Sequence, residues 1–219
     1  MTRKTIIEIG LSLVALLMAG MSPNLFPAAQ AGIAPMPEMA RWLLLPSIAV
    51  LAIVFVLAAA GGLDRLKNRL LMGALAGLVA TVGLEVVRII SFRAFGGMPG
   101  SMPELLGVLL TNRFMLGPSV TSNILGWAYH FWNGACFGMI FALVFGRKPF
   151  WWAVIYAEAI GVGFLLSPAV RSMGIGFMGS QMPGMPITVF LAHLVFGTIL
   201  GLLCAKWIRD KGWLLSRGQ

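Results

Sequence analysis

The chain has 219 residues, of which 59% are hydrophobic and only 11% charged, and its mean hydropathy is +0.91. A soluble domain carries roughly a quarter charged residues. This composition therefore excludes a water-soluble globular protein and predicts an integral membrane protein. The formal net charge of +9 needs no nucleic-acid partner, because membrane topology accounts for it, as shown below.

Six apolar runs are long enough to cross a bilayer, which takes about 20 residues in a helix. The long polar–apolar alternation typical of a membrane barrel is missing from the sequence. We therefore predict an all-α membrane protein with six transmembrane helices. The predicted spans are Thr5–Met21, Leu43–Gly61, Leu70–Phe95, Ser122–Phe145, Phe150–Val170 and Pro186–Trp207.

The first span can also be interpreted as a signal peptide. Arg3 and Lys4 precede an apolar stretch, and Ala29–Ala31 resembles a cleavage site. Two features favour an uncleaved helix: Glu8 interrupts the apolar run, and the stretch from Met21 to Ala31 is long for a cleavage region. Both interpretations leave the other five spans in the same orientation.

The basic residues predict the orientation of the chain. When the six spans alternate, 11 of the 16 Lys and Arg residues fall on one side, and that side is expected to face the cytoplasm. Both termini are therefore predicted to be cytoplasmic, in a cytoplasmic (inner) membrane. The eleven residues are Arg3, Lys4, Arg65, Lys67, Arg69, Arg147, Lys148, Lys206, Arg209, Lys211 and Arg217.

The last four spans predict an internal repeat of two hairpins. Each hairpin has a helix with one intramembrane Glu (Glu85 or Glu158), an outer Met-Pro loop and a helix with one His. Because both hairpins run in the same direction, their symmetry axis should lie along the membrane normal. The two loops are Met98–Pro103 and Met182–Pro186.

This repeat divides the chain into two predicted regions. Residues 1–62 form two N-terminal transmembrane helices with an outer loop. Residues 63–219 form a pseudo-twofold four-helix core, against which the first two helices pack from outside. The first hairpin has an additional segment, Glu104–Pro118, which we predict to be a re-entrant or surface helix.

The chain's only two histidines begin the same pattern, His-x3-Gly-x3-Gly, at His130 and His193. Small residues four positions apart let helices approach closely in lipid. The glycine face of each helix is therefore predicted to pack against another helix and to turn its histidine into that contact. The glycines are Gly134, Gly138, Gly197 and Gly201.

Four ionisable residues are predicted to share one depth in the membrane. Counted from the outer ends of their helices, they lie roughly 10–15 Å below the outer edge of the hydrocarbon. Such residues are rare in spans and usually face the bundle interior, so we predict one polar centre. Its members are Glu85, His130, Glu158 and His193.

Carboxylates and imidazoles together form a ligand set for transition metals. We therefore predict binding, and in a stronger form transport, of a divalent transition-metal ion or copper. Arg88, Asn133 and Tyr156 are predicted to support the ligands from behind. In the alternative without a shared centre, Glu85 pairs with Arg88 one turn away and each histidine bonds a nearby carbonyl or hydroxyl.

Methionines are concentrated in and beside the outer loops. Thioethers select Cu(I), so an outer methionine surface could guide an ion toward the centre. The same residues also suit adaptable apolar filling, and both interpretations remain open. The candidates for ion access are Met98, Met102, Met182 and Met185.

Two further functions are compatible with the sequence. One is a b-type haem protein with His130 and His193 as axial ligands. The other is an accessory or scaffold subunit of a membrane complex, as a homo-oligomer or with another membrane protein. The sequence contains no phosphate loop, dinucleotide motif or activated nucleophile, which disfavours an enzyme.

Overall fold

The computed structural model describes residues 2–213, and in this part of the chain every regular element is a helix. Five helices are long and apolar enough to cross a membrane, and a sixth apolar helix has 16 residues. The protein is therefore an all-helical, multi-pass membrane protein. Arg217 and the end of the region 63–219 lie outside the described residues. The helices are α1 (Arg3–Gln30), α2 (Met36–Met39), α3 (Leu45–Ala60), α4 (Asp64–Phe95), α5 (Met102–Leu110), α6 (Val120–Phe145), α7 (Trp151–Leu166), α8 (Pro168–Ser172) and α9 (Gly184–Trp207).

The first two spans are longer than the sequence predicts. α1 does not end at Met21 but continues to Gln30 through Pro23 and Pro27. Proline lacks an N–H and disturbs the helical hydrogen-bond ladder; in this region the side chain of Asn24 donates to the Gly20 carbonyl at 2.7 Å. The second span begins with α2 and passes through a π-helical segment, Ala40–Leu44, into α3.

The fifth predicted span is interrupted near its outer end. α7 ends at Leu166, and the separate short helix α8 begins at Pro168. Proline cannot donate to the preceding turn, and it forces the residue before it into extended backbone, as Ser167 is (φ −69°, ψ 158°). The prediction of one uninterrupted helix over Phe150–Val170 is therefore wrong. α7 spans about 24 Å, which is less than the roughly 30 Å hydrocarbon core.

The additional segment of the first hairpin contains a helix, as predicted. α5 begins after Ser101, whose side chain accepts from the N–H of Glu104 at 3.4 Å. It packs closely on α6, because a Cβ on Gly107 would lie 1.9 Å from the carbonyl oxygen of Ser122. α5 is therefore held against the N-terminal half of α6.

Glycines form two tight helix crossings. In the α4–α6 pair, a Cβ on Gly134 would lie 1.7 Å from Thr81 Oγ1. In the α7–α9 pair, a Cβ on Gly197 would lie 2.6 Å from Cα of Val154. Such distances leave room for hydrogen only, so both histidine helices pack through their glycine faces. The second glycine of each pattern is equally crowded: Gly138 in α6 and Gly201 in α9.

The four long helices of the core form an open row rather than a closed bundle. In the order α6, α4, α9, α7, each helix packs along the next. α6 and α7, at the two ends, meet through side chains: the Tyr156 hydroxyl donates to the Phe137 carbonyl at 3.1 Å, and its ring contacts Phe141. An ideal twofold would pack α6 on α7 as closely as α4 on α9. The looser contact leaves space between them.

A buried arginine connects three segments at the basic end of the molecule, which is the end that carries Arg3, Lys4, Arg65, Arg147 and Arg209. Arg69 is 2% exposed and forms an ion pair with Asp210, beyond the end of α9. Its guanidinium also donates to the carbonyl of Leu143, in α6, at 2.5 Å. One of the residues predicted to set orientation thus also links α4, α6 and the segment that follows α9.

Candidate functional site

A cavity of about 400 Å³ lies between α6 and α7, bounded also by α1, α4, α5 and α9. Its wall is mostly apolar. Both histidines line it, and the other polar side chains on the wall are Asn24, Thr81, Arg88, Asn133 and Ser167. The open row of core helices therefore provides one chamber that both imidazoles reach.

His130 is held from the α4 side by a carboxylate. Its Nε2 lies 2.9 Å from Glu85 Oε1, although the ring N–H is not aligned for a good hydrogen bond. Arg88 Nη1 donates to the same Glu85 oxygen at 3.1 Å. Glu85 is 6% exposed and does not line the cavity. It therefore contacts His130 from α4 and not from within the cavity.

The Glu85–Arg88 contact has an electrostatic consequence. A lone carboxylate within a span is costly, whereas a paired one is tolerated. This pair is the one expected in the alternative without a shared centre. The ion pair has no net formal charge. The net charge at the cavity therefore depends mainly on whether the imidazoles carry an extra proton or bind an ion.

His193 is held by its own helix and by α7. Its Nδ1 lies 2.7 Å from the backbone carbonyl oxygen of Val189, one turn earlier. A proton on Nδ1 satisfies this bond and leaves Nε2 as an acceptor or metal ligand. The ring lies against Gly161 of α7, where a Cβ would lie 3.0 Å from the imidazole Cγ.

Glu158 does not line the cavity. Gly197 packs against Ala153, Val154 and Ala157 of α7, and the Cβ of Ala157 lies 2.9 Å from the position of a Cβ on that glycine. Glu158 is the next residue, so its side chain is rotated by about 100° around the helix axis. Its Oε1 is buried without a hydrogen-bond partner among the described residues. The structure thus places Glu85 against His130 and both histidines on the cavity wall, whereas Glu158 neither lines the cavity nor makes a hydrogen bond through Oε1 within residues 2–213.

The other predicted supporting residues have different partners. Asn133 lines the cavity, and its Oδ1 accepts from the Ser22 hydroxyl of α1 at 2.5 Å. The Ser22 carbonyl in turn accepts from the Tyr129 hydroxyl at 2.6 Å. Tyr156 bonds the α6 backbone and does not line the cavity. Asn133 therefore joins α1 to the site, whereas Tyr156 joins α6 to α7.

The four methionines proposed for ion access are mainly packing residues. Met98 and Met185 are buried, and Met182 packs against the same apolar cluster as they do. Met102 is also buried but lines the cavity. It is therefore the one of these four thioethers that reaches the chamber.

Sequence reasoning missed the contribution of α1. Pro23, Asn24, Phe26 and Pro27 form part of the cavity wall, although α1 is predicted to pack outside the core. A polar residue beside a proline inside an apolar span was the available signal, because such positions in spans are frequently functional. Gly161 carried no signal, since nothing in the sequence indicates that an imidazole lies on it.

Within residues 2–213, no three His, Cys, Asp or Glu side chains are grouped so that they could hold a metal ion. The protein therefore offers two imidazoles to the cavity: His193 has Nδ1 bonded to the Val189 carbonyl, and His130 has Nε2 close to the Glu85 carboxylate. Carboxylates and backbone carbonyls commonly hold metal-binding histidines in this way.

Comparisons of the chain with protein-family models, curated proteins and solved structures found no match.

Proposed function

We propose that the protein binds a transition-metal ion in the cavity, with His130 and His193 as its ligands. One observation carries the proposal: each histidine has one ring nitrogen beside a fixed acceptor, Glu85 or the Val189 carbonyl, and both rings line the same chamber. An anchored imidazole presents its free nitrogen in a defined direction, which favours metal coordination.

In this proposal the acidic residues have unequal roles. Glu85 positions His130 and is neutralised by Arg88, so it does not coordinate the ion. Glu158 is not a ligand. Water or a small molecule in the chamber would complete the coordination sphere.

The charge of the lining favours copper in the Cu(I) state. Two neutral imidazoles do not offset the double charge of a divalent ion, whose burial in an apolar wall is costly. A monovalent soft ion carries half that charge and accepts thioether as well as imidazole. Met102 lines the same cavity and could supply such a sulfur.

We propose binding rather than transport as the primary function. The glycine crossings below the histidines, toward the basic end, bring the α4 and α6 backbones together. A transported ion would need polar groups along that direction, and the α4–α6 interface there is filled by small residues such as Ala76, Gly77 and Ala142.

A b-type haem is the second candidate, and the apolar wall of the cavity favours it. A porphyrin needs apolar surroundings and two imidazoles on opposite sides of its plane. Arg88 on the cavity wall could then pair with a propionate.

Protein purified without a histidine tag distinguishes these candidates. Loaded with Cu(I) under reducing conditions, the full chain should retain about one copper ion and show no Soret band. Bound copper should be lost in a His130→Ala/His193→Ala variant that still folds. A Soret band lost in that variant would establish haem instead. A folded parent that binds neither group would reject the site and favour a structural subunit.

The finer topology is also part of this proposal. We propose that α7 acts as a sixth span, that both termini are cytoplasmic and that the α4–α6 and α7–α9 hairpins are repeats in a cytoplasmic membrane. The shared glycine crossings support the repeat, and the distribution of basic residues supports the orientation. Reporter fusions after residues 62 and 148 should both report a cytoplasmic location, and an external signal at either would contradict this topology.

A further inference from the structure

A second cavity, of about 520 Å³, lies between α1 and α3 at the basic end of the molecule. Its wall is apolar and includes Ile7, Leu11 and Leu57. Arg3 and Lys4 form its rim. The cavity is thus an apolar groove with two cations at one end, and it is called the groove below.

Neither of the two cations, Arg3 and Lys4, has an ion-pair partner at close range within residues 2–213, since the ion pairs there use other basic residues. Of the acidic groups nearby, Glu8 accepts from the Leu66 N–H at 3.2 Å, and Asp64 pairs directly with Lys67 at 2.7 Å and attracts Lys4 only at longer range. The rim of the groove therefore keeps an excess of positive charge.

The groove is open to the lipid phase along its length. Ile7 is 47% exposed and Leu57 is 49% exposed, and an apolar wall within a bilayer is covered by acyl chains. Lys4 Nζ would lie 3.8 Å from a Cβ on Gly62. The ammonium group therefore lies beside the turn between α3 and α4, at the end of the groove.

We propose that this groove binds one anionic phospholipid. The phosphate contacts Arg3 and Lys4, and an acyl chain lies along Ile7, Leu11 and Leu57. Basic pockets between transmembrane helices suit anionic head groups in this way. A soluble phosphate ion shares the charge chemistry but would leave the apolar wall uncovered, so the lipid is the better fit.

The test uses the full chain in detergent, titrated with phosphatidylglycerol or phosphatidylcholine and followed by native mass spectrometry. Each cation near a membrane surface strengthens anionic lipid binding about fivefold, so the pair should give about 25-fold. We expect Arg3→Gln/Lys4→Gln to lose this preference for phosphatidylglycerol. The matched control, Arg147→Gln/Lys148→Gln, also removes two adjacent charges but lies outside the groove, and it should keep the preference.

Two results would overturn the proposal. One is an equal loss in both double variants, which would indicate attraction to net charge alone. The other is equal occupancy by glycerol 3-phosphate and phosphatidylglycerol, which would indicate an anion site without a lipid chain. Copper binding is measured on the same samples, so failure of the lipid site is distinguishable from failure of the metal site.

Discussion

The two helix pairs α4–α6 and α7–α9 share a glycine crossing but differ one turn away from it. Thr81 lies opposite Gly134, and Glu85, four residues further along α4, meets His130. In the other pair Ala157 is one of three α7 residues that contact Gly197, and the residue four positions further along α7 is Gly161. One histidine therefore meets a carboxylate, whereas the other lies on a glycine.

This difference shows that similar helix contacts can support their histidines by different means. His130 relies on a charged side chain from a neighbouring helix, whereas His193 relies on its own backbone and on the absence of a side chain opposite. The intramembrane acids do not occupy equivalent positions, even though each belongs to the first helix of its hairpin. Four substitutions test this comparison.

The largest effect is expected for His193→Ala. Removing one of two imidazole ligands should lower Cu(I) affinity by more than about a hundredfold, roughly 3 kcal/mol or more. Competition with a Cu(I) chelator measures the affinity. Thr198→Ala is the control on the same helix, because the Thr198 hydroxyl bonds only the Leu194 carbonyl and does not line the cavity. Full copper retention by His193→Ala would remove that histidine from the site.

Glu85→Gln should weaken Cu(I) binding about 10- to 100-fold, the usual cost of losing a carboxylate that orients a metal-binding histidine. The same chelator competition measures it. Because this change leaves Arg88 as an unpaired cation in the membrane, Glu85→Gln/Arg88→Gln provides a charge-balanced comparison. Unchanged affinity in both folded variants would mean that Glu85 only neutralises Arg88.

Gly161→Ala should weaken Cu(I) binding about tenfold, because the added Cβ would lie 3.0 Å from the His193 ring and must displace it by a few tenths of an ångström. Chelator competition and thermal unfolding are measured together. Gly20→Ala makes the same change at a position in α1 that does not line the cavity and where a Cβ meets nothing within 4 Å. Equal affinity in the two variants would show that contact with Gly161 does not position the imidazole.

The smallest effect is expected for Glu158→Gln, which should change Cu(I) affinity less than about twofold, since a group outside the site contributes little. Metal analysis and chelator competition again provide the measurement. A loss as large as that in Glu85→Gln would place Glu158 at the metal and restore the four-ligand centre predicted from the sequence.

Much of the architecture follows from local properties of the sequence. Apolar runs specify membrane helices wherever they occur, because backbone groups in lipid must bond within their own segment. The glycine spacing on α6 and α9 indicates the packing face, and the i, i+3 relation of Glu85 and Arg88 predicts their ion pair. These properties depend on neighbours within one helix.

The positions that depend on a second helix could not be predicted in this way. Depth along a helix places Glu158 near the histidine level, but it does not fix the side chain's direction, and one residue beyond Ala157 changes that direction by about 100°. The break at Pro168 also ends α7 before the predicted boundary. Hydropathy is insensitive both to the rotation of a side chain around its helix and to the point at which a proline breaks the helix.

By itself, the sequence determined that this chain is a helical membrane protein with paired histidine helices, because hydrophobic length and residue spacing act locally. Only the tertiary structure decided that α6 and α7 stand apart, that α1 closes the space between them and that Glu85 rather than Glu158 meets a histidine. Those outcomes depend on the rotation and axial position at which the glycines of one helix pack against the backbone of another. This packing is a property of each pair of helices and not of either sequence segment alone.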